Sequence, residues 1–197
     1  YDTVNLASQG TRQAHQITLA MRQAVSAAAQ QGQSLDLALA GGLRGTTSWS
    51  GEIRRLDLSS PPTGAWKLGG PAALTVGTTQ AALKGFCWTS GAARLCADGQ
   101  WLKNGPWSAS GNLAAVPFSL LKPLLPPDVQ ITGTVGGTFT GTGSPAGAVT
   151  ANVDLRPGPG EIHYPGKAGE TAVVRFDQGT VRLVAGADGV TGHADLT

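Results

Sequence analysis

Alternation with a period of two runs through most of this chain. Thr18 and Ala20 separate Ile17, Leu19 and Met21, and Asp36 and Ala38 separate Leu35, Leu37 and Leu39. Such alternation places every apolar side chain on one face of a half-buried strand. Trp49, Gly51 and Ile53 keep one parity and Leu56 and Leu58 take the other, which predicts a bulge or strand break near Arg54. Shorter pairs follow: Trp66 with Leu68, Leu74 with Val76, Ala81 with Leu83, Ala93 with Leu95, and Trp107 with Ala109. The pattern resumes after position 128 as VQITGTVGGTFTGTG, with Val129, Ile131, Gly133, Val135, Gly137 and Phe139 on one face. VTANVDL, AVVRF and GTVRLV supply three more strands. The turn clusters SSPPTG, KNGP, GTGSPAG, RPGPG and YPGKAG punctuate the series. An all-β sheet with one apolar face is the expectation.

Two segments depart from this pattern. TRQAHQITLAMRQAVSAAAQQGQ fits a helix by its Ala and Gln content, but its Ile17, Leu19, Met21 spacing fits a strand, which is favoured up to about residue 25. In LAAVPFSLLKPLLPPD, Pro117 suits a helix's first turn, and Phe118, Leu121 and Leu125 recur at helical spacing. Pro123 and Pro126-Pro127 keep that helix short, one or two turns near 117–125, with Leu121, Leu124 and Leu125 turned inward.

The two cysteines, Cys87 and Cys96, are tested by the same strand arithmetic. A hairpin pairing them centres between Gly91 and Ala92, a two-residue loop with glycine first, which suits a type II′ turn. Counting back from Ser90 opposite Ala93, Cys87 meets Cys96 at a non-hydrogen-bonded site, where Cα atoms lie about 4.5–5.5 Å apart. That is within the disulfide range of about 4.4–6.8 Å. On the other face Trp88 meets Leu95. Two buried free thiols are the alternative; a metal site needs further ligands, and no histidine is near in sequence. The expected disulfide implies an oxidising compartment and contributes on the order of 2–3 kcal/mol.

Composition and charge narrow the function. Charged residues make up 13% of the 197 positions and the net charge is +2, so no clustered basic face for nucleic acid is readable. The one basic doublet, Arg54-Arg55, reads as the solvated side of a strand end. No run approaches the roughly 18 apolar residues of a membrane span. The opening on Tyr1 without a signal peptide suggests a piece of a longer protein, with any anchor outside it. His15, His163 and His193 lie in separate segments without carboxylate partners at motif spacing, and HExxH, GxSxG and phosphate-loop patterns do not occur. Asp57, Asp98, Asp154 and Asp188 read as turn or strand-edge residues. A non-enzymatic protein without cofactor or metal is expected.

The stretch CWTSGAARLC, followed by ASGNLAAVPFSLLKPLLPPDVQITGTVGGTFTGTG, resembles the TamB family, which is related to AsmA-like proteins. The matching features are the Cys-Trp and Leu-Cys ends of the loop, the LLKPLLP run after Phe118, and the strand from Ile131 to Gly137. WSGEIRRLDLSSPPTGAWKLGGPAALTV also fits the family's habit. The likeness covers most of residues 35–197 and is most specific at 85–140. It implies a sheet curled lengthwise into a trough with an apolar concave face, a β-taco. It further implies a periplasmic location, an inner-membrane anchor outside this segment and an outer-membrane barrel partner of the TamA type. The implied roles are outer-membrane protein assembly and phospholipid movement between the membranes.

The strand reading leads to the same shape, since a ladder with one apolar face and few helices must curl to hide that face. Residues 1–197 then form one β-rich segment, with 1–30 the least defined by pattern. The expected groove-lining set is Leu35, Leu37, Leu39, Ile53, Leu74, Val76, Leu83, Trp88, Leu95, Trp101, Ile131, Val135, Phe139, Val153, Leu155, Phe176, Val181 and Leu183. Phospholipid acyl chains are the expected occupants, and client outer-membrane β-strands pairing with an exposed edge are the alternative. A third reading is an adhesin or stalk module with an ordinary closed core.

Overall fold

The computed structural model describes residues 2–24, 32–61, 63–166, 170–187 and 189–197. Among these residues the chain forms sixteen strands. The first nine are β1 (Thr3–Gly10), β2 (His15–Arg22), β3 (Ser34–Arg44), β4 (Ser48–Ser60), β5 (Gly64–Leu68), β6 (Ala72–Gly77), β7 (Gln80–Ser90), β8 (Ala93–Leu102) and β9 (Trp107–Pro117). The rest are β10 (Gln130–Ile131), β11 (Thr134–Gly143), β12 (Val149–Pro157), β13 (Gly160–Pro165), β14 (Thr171–Phe176), β15 (Gly179–Gly186) and β16 (Gly189–Leu196). The segment after β9 is a 3-10 helix, Phe118–Leu124, with Pro117 as its extended N-cap rather than in its first turn. The side chains of Leu121 and Leu124 lie outside the described residues, as do residue 25, at the expected end of the second strand, and Asp188.

Thirteen strands form one antiparallel sheet in the order β1-β2-β3-β4-β5-β7-β8-β9-β11-β12-β15-β16, and β6 also pairs with β4 and β7. Because β5 and β6 share the space between β4 and β7, the thirteen strands fill twelve lanes. The sheet is curled and does not close, since β1 and β16 are its two edges. β10, β13 and β14 form a separate three-stranded sheet.

Three bulges shape the large sheet. The register shifts between Ala38 and Leu39, leaving Arg54 as the extra residue, as the parity switch anticipates. It shifts again between Leu83 and Phe86, where Gly85 has φ 70° and donates its N–H to Asp98 Oδ1 at 2.6 Å. The third pits Ala114 and Ala115 against Gly136, with Ala115 at φ 47°. Each bulge switches parity along the sequence while returning the apolar side chains to the same face, and each bends its strand.

The continuous run VQITGTVGGTFTGTG is a correction. Gly133, at φ 100°, breaks it, so Ile131 enters the small sheet and Thr134 starts β11 in the large one. Phe176 likewise ends β14 of the small sheet. β1, β13 and β16 are additional to the strands read from the sequence.

Candidate functional site

Cross-strand partners in an antiparallel ladder share a face, so the registers can be followed from lane to lane. Met21, Leu35 and Leu58 stand opposite one another, and Leu58 faces Trp66. Ile17, Leu39 and Ile53 align and lead to Ala72. Leu74 pairs with Leu83, Trp88 with Leu95, Leu95 with Leu113, and Leu113 with Gly137. Phe139 pairs with Val153, Val153 with Leu183, and Leu155 with Val181. One apolar face therefore crosses all twelve lanes.

Leu35, Leu37, Leu39, Ile53, Leu74, Val76, Leu83, Trp88, Leu95, Trp101, Val135, Phe139, Val153, Leu155, Val181 and Leu183 all stand on that face. Ile131 and Phe176 reach it from the small sheet, in a cluster with Phe118 and Val135. The five tryptophans, Trp49, Trp66, Trp88, Trp101 and Trp107, share it as well. Val4 and Leu6 of β1 and Val190 of β16 extend it to both edges. Among the described residues paired in the large sheet, every Asp, Glu, Lys and Arg stands on the opposite face.

On the apolar floor large side chains lie across glycines of neighbouring strands. A Cβ on Gly41 would stand 2.6 Å from the Trp49 ring, and one on Gly51 would stand 2.7 Å from it. Trp49 reaches over that glycine pair to donate Nε1–H to His15 Nε2 at 3.0 Å, and His15 Nδ1 lies 3.1 Å from the Thr11 carbonyl. A Cβ on Gly111 would collide with Phe139, and one on Gly143 with Trp107. Trp88 donates to the Leu56 carbonyl at 2.8 Å and stacks at a tilt on Trp66, with centroids 5.4 Å apart. The indole N–H groups of Trp49 and Trp88 are thus satisfied within the floor. Glycine at an apolar-parity position in a strand interior is the sequence signal for this device.

Beside these rings the floor dips. Leu74, Ala81, Leu83, Gly99, Trp101 and Trp107 border an open depression of about 380 Å3. Ala81 and Gly99 put little bulk into it, and Trp101 beside it is 42% exposed.

The polar face carries the disulfide and the charges. Cys87 and Cys96 are bonded, with Cα atoms 4.0 Å apart, slightly shorter than the expected spacing. Cys87 opposite Cys96, Trp88 opposite Leu95 and Ser90 opposite Ala93 are the registers expected from the sequence. Gly91 has φ 57° while Ala92 does not have positive φ, as a type II′ turn requires. Arg94 Nε lies 3.1 Å from Cys96 Sγ. Arg22 pairs with Asp36 at 2.7 Å, and Asp154 with Arg182 at 3.1 Å. These pairs are exposed and contribute little individually. On the small sheet Glu161 accepts from Arg175 at 2.8 Å and contacts His163 at 2.9 Å. Arg175 first, and His163 second, hold the Glu161 carboxyl below the usual carboxylate range. Among the described residues no group of three or more His, Cys, Asp or Glu could hold a metal ion. No described helix is long and apolar enough to cross a membrane.

A family model described as TamB, N-terminal domain, matches residues 1–195, so the likeness also takes in the first thirty residues. No curated protein and no solved structure matches the chain.

Proposed function

The chain belongs to the TamB family, and from that membership we propose that it is a segment of a periplasmic bridge whose apolar face shelters or conducts phospholipid acyl chains. The observation that carries this reading is the unbroken apolar face across twelve lanes, with the charges of the paired positions on the other side. Lanes about 4.8 Å apart give that face a run of roughly 50 Å. One leaflet offers an acyl chain only about 15 Å, half of a hydrocarbon core of about 30 Å. The face is therefore long enough for lipids to follow one another. Each methylene taken from water onto it gains about 0.8 kcal/mol.

On this reading the chain works in the periplasm between an inner-membrane anchor and an outer-membrane barrel partner of the TamA type, and it takes no catalytic part. Support for outer-membrane protein assembly as a second role comes from the edges. β1 and β16 are the outermost lanes, exposed along their whole length, and their free backbone groups suit a client strand.

Native mass spectrometry of the purified protein tests the lipid reading. Phospholipid should remain bound to the parent. It should be lost in Leu83→Asp, on the apolar face, and retained in Ala82→Asp, its neighbour on the polar face. Equal retention in both variants contradicts the assignment.

A further inference from the structure

We propose that the small sheet β10-β13-β14 is a built-in stop, filling the apolar face at the ends of β9, β11 and β12 so that acyl chains pass only along the rest of those lanes. The inference rests on the reading of the face as an acyl-chain site.

Phe118, Val135 and Phe176 are 8%, 8% and 4% exposed, and Val116, Ile131, Leu155 and Ile162 pack around them. Val116, Val135 and Leu155 belong to the floor, whereas Ile131, Ile162 and Phe176 come down from the small sheet. Phe118 and Phe176 meet edge to face with centroids 6.3 Å apart. Gly160 leaves the Phe176 ring its place, since a Cβ there would stand 2.7 Å from it. A compartment packed in this way has no volume left for a methylene chain.

The stop is fixed in position. Among the described residues no ladder joins the two sheets, but short crossings pin the small one. Thr132-Gly133 joins β10 to β11 and Gly158-Pro159 joins β12 to β13, while Phe118 N–H donates to the Gly133 carbonyl at 3.1 Å and Gly158 N–H to the Thr134 carbonyl at 2.9 Å. Further along the same strands the cover ends. Phe139 and Val153 are half-buried, and Leu183 beside them is 41% exposed. The floor therefore stays open there, toward Trp107 and the depression beside it.

A photoreactive lipid distinguishes the covered from the open floor without altering the chain. The full chain is irradiated with phosphatidylethanolamine–phosphatidylglycerol vesicles containing phosphatidylethanolamine with a diazirine in its acyl chain, and adducts are mapped by peptide mass spectrometry. Adducts are expected at Leu83, Trp101 and Phe139, and about tenfold fewer at Val135, Leu155 and Phe176. The double variant Phe118→Ala/Phe176→Ala should gain adducts at Leu155. Labelling of Val135 and Leu155 in the parent as strong as that of Leu83 overturns the stop and leaves the acyl-chain reading standing. Absence of labelling from Leu83 and Phe139 counts against the acyl-chain reading itself. A folded double variant that gains nothing at Leu155 also overturns the stop, and if that variant does not fold the parent map decides alone.

Discussion

Leu39 and Val135 stand on the same face of the same sheet, yet their surroundings differ. Around Leu39 the strands β2, β3 and β4 lie in a single sheet; Leu39 is half-buried and, among the described residues, belongs to no buried core cluster. Above Val135 stand Phe118 and Phe176, and it is 8% exposed. One region stabilises itself through ladders and flat rings, while the other has the conventional core of two packed layers. One apolar pattern along the sequence thus serves both an open floor and a sealed compartment, and the small sheet makes the difference.

The largest test of that contrast is one charge placed in both regions. Val135→Asp buries an unpaired carboxylate and should cost about 3–5 kcal/mol, whereas Leu39→Asp remains within reach of water and should cost about 1–2 kcal/mol. Urea unfolding midpoints of the two variants measure this. Equal losses would mean that the lanes around Leu39 are covered too.

The ring-over-glycine contacts give a smaller effect. Gly111→Ala would drive a methyl into Phe139 and the Cys96 carbonyl, whereas at Gly99 the nearest atom to an added Cβ is the Ser108 carbonyl oxygen at 3.4 Å. We expect about 1–3 kcal/mol of destabilisation from Gly111→Ala and no loss, or a gain of up to about 1 kcal/mol, from Gly99→Ala. Thermal unfolding of the pair checks whether ring-over-glycine contacts distinguish the two sites.

These contrasts also show what was legible in the sequence. The switch from Ile53 to Leu56 located the Arg54 bulge because a bulge changes parity without changing the face. The hairpin offset fixed the cysteine register because a two-residue loop leaves little freedom. Ile131 and Val135 read as one strand because alternation counts Gly133 as a small apolar position, whereas its positive φ turns the chain into another sheet. Phe176 reads as one more position of the large face for the same reason: period two assigns a face within a strand but not the sheet to which the strand belongs. The role of Gly41, Gly51, Gly111 and Gly143 depends on rings from neighbouring lanes, a contact that no local pattern contains.

The smallest effect concerns the outer face of the small sheet. The Glu161 carboxyl titrates lower in the folded protein than its ordinary value, chiefly through Arg175. Its contribution is therefore complete above the ordinary carboxylate range and is lost as pH falls through the lowered folded value. Arg175→Gln should unfold slightly more easily than the parent at neutral pH, and the two should converge in acid and in high salt. A difference that persists unchanged in acid would show that Arg175 acts through something other than this ion pair.

The most direct measurement of the central claim uses the tryptophans, all five of which stand on the apolar face. The chain is titrated with phospholipid brominated on its acyl chains, and with the same lipid unbrominated. Acyl chains lying on the floor predict quenching of tryptophan fluorescence by the brominated lipid alone, reduced when Trp101, the 42%-exposed ring beside the depression, is replaced by Phe. Fluorescence unchanged at lipid concentrations that saturate binding would contradict an acyl-chain site on this face.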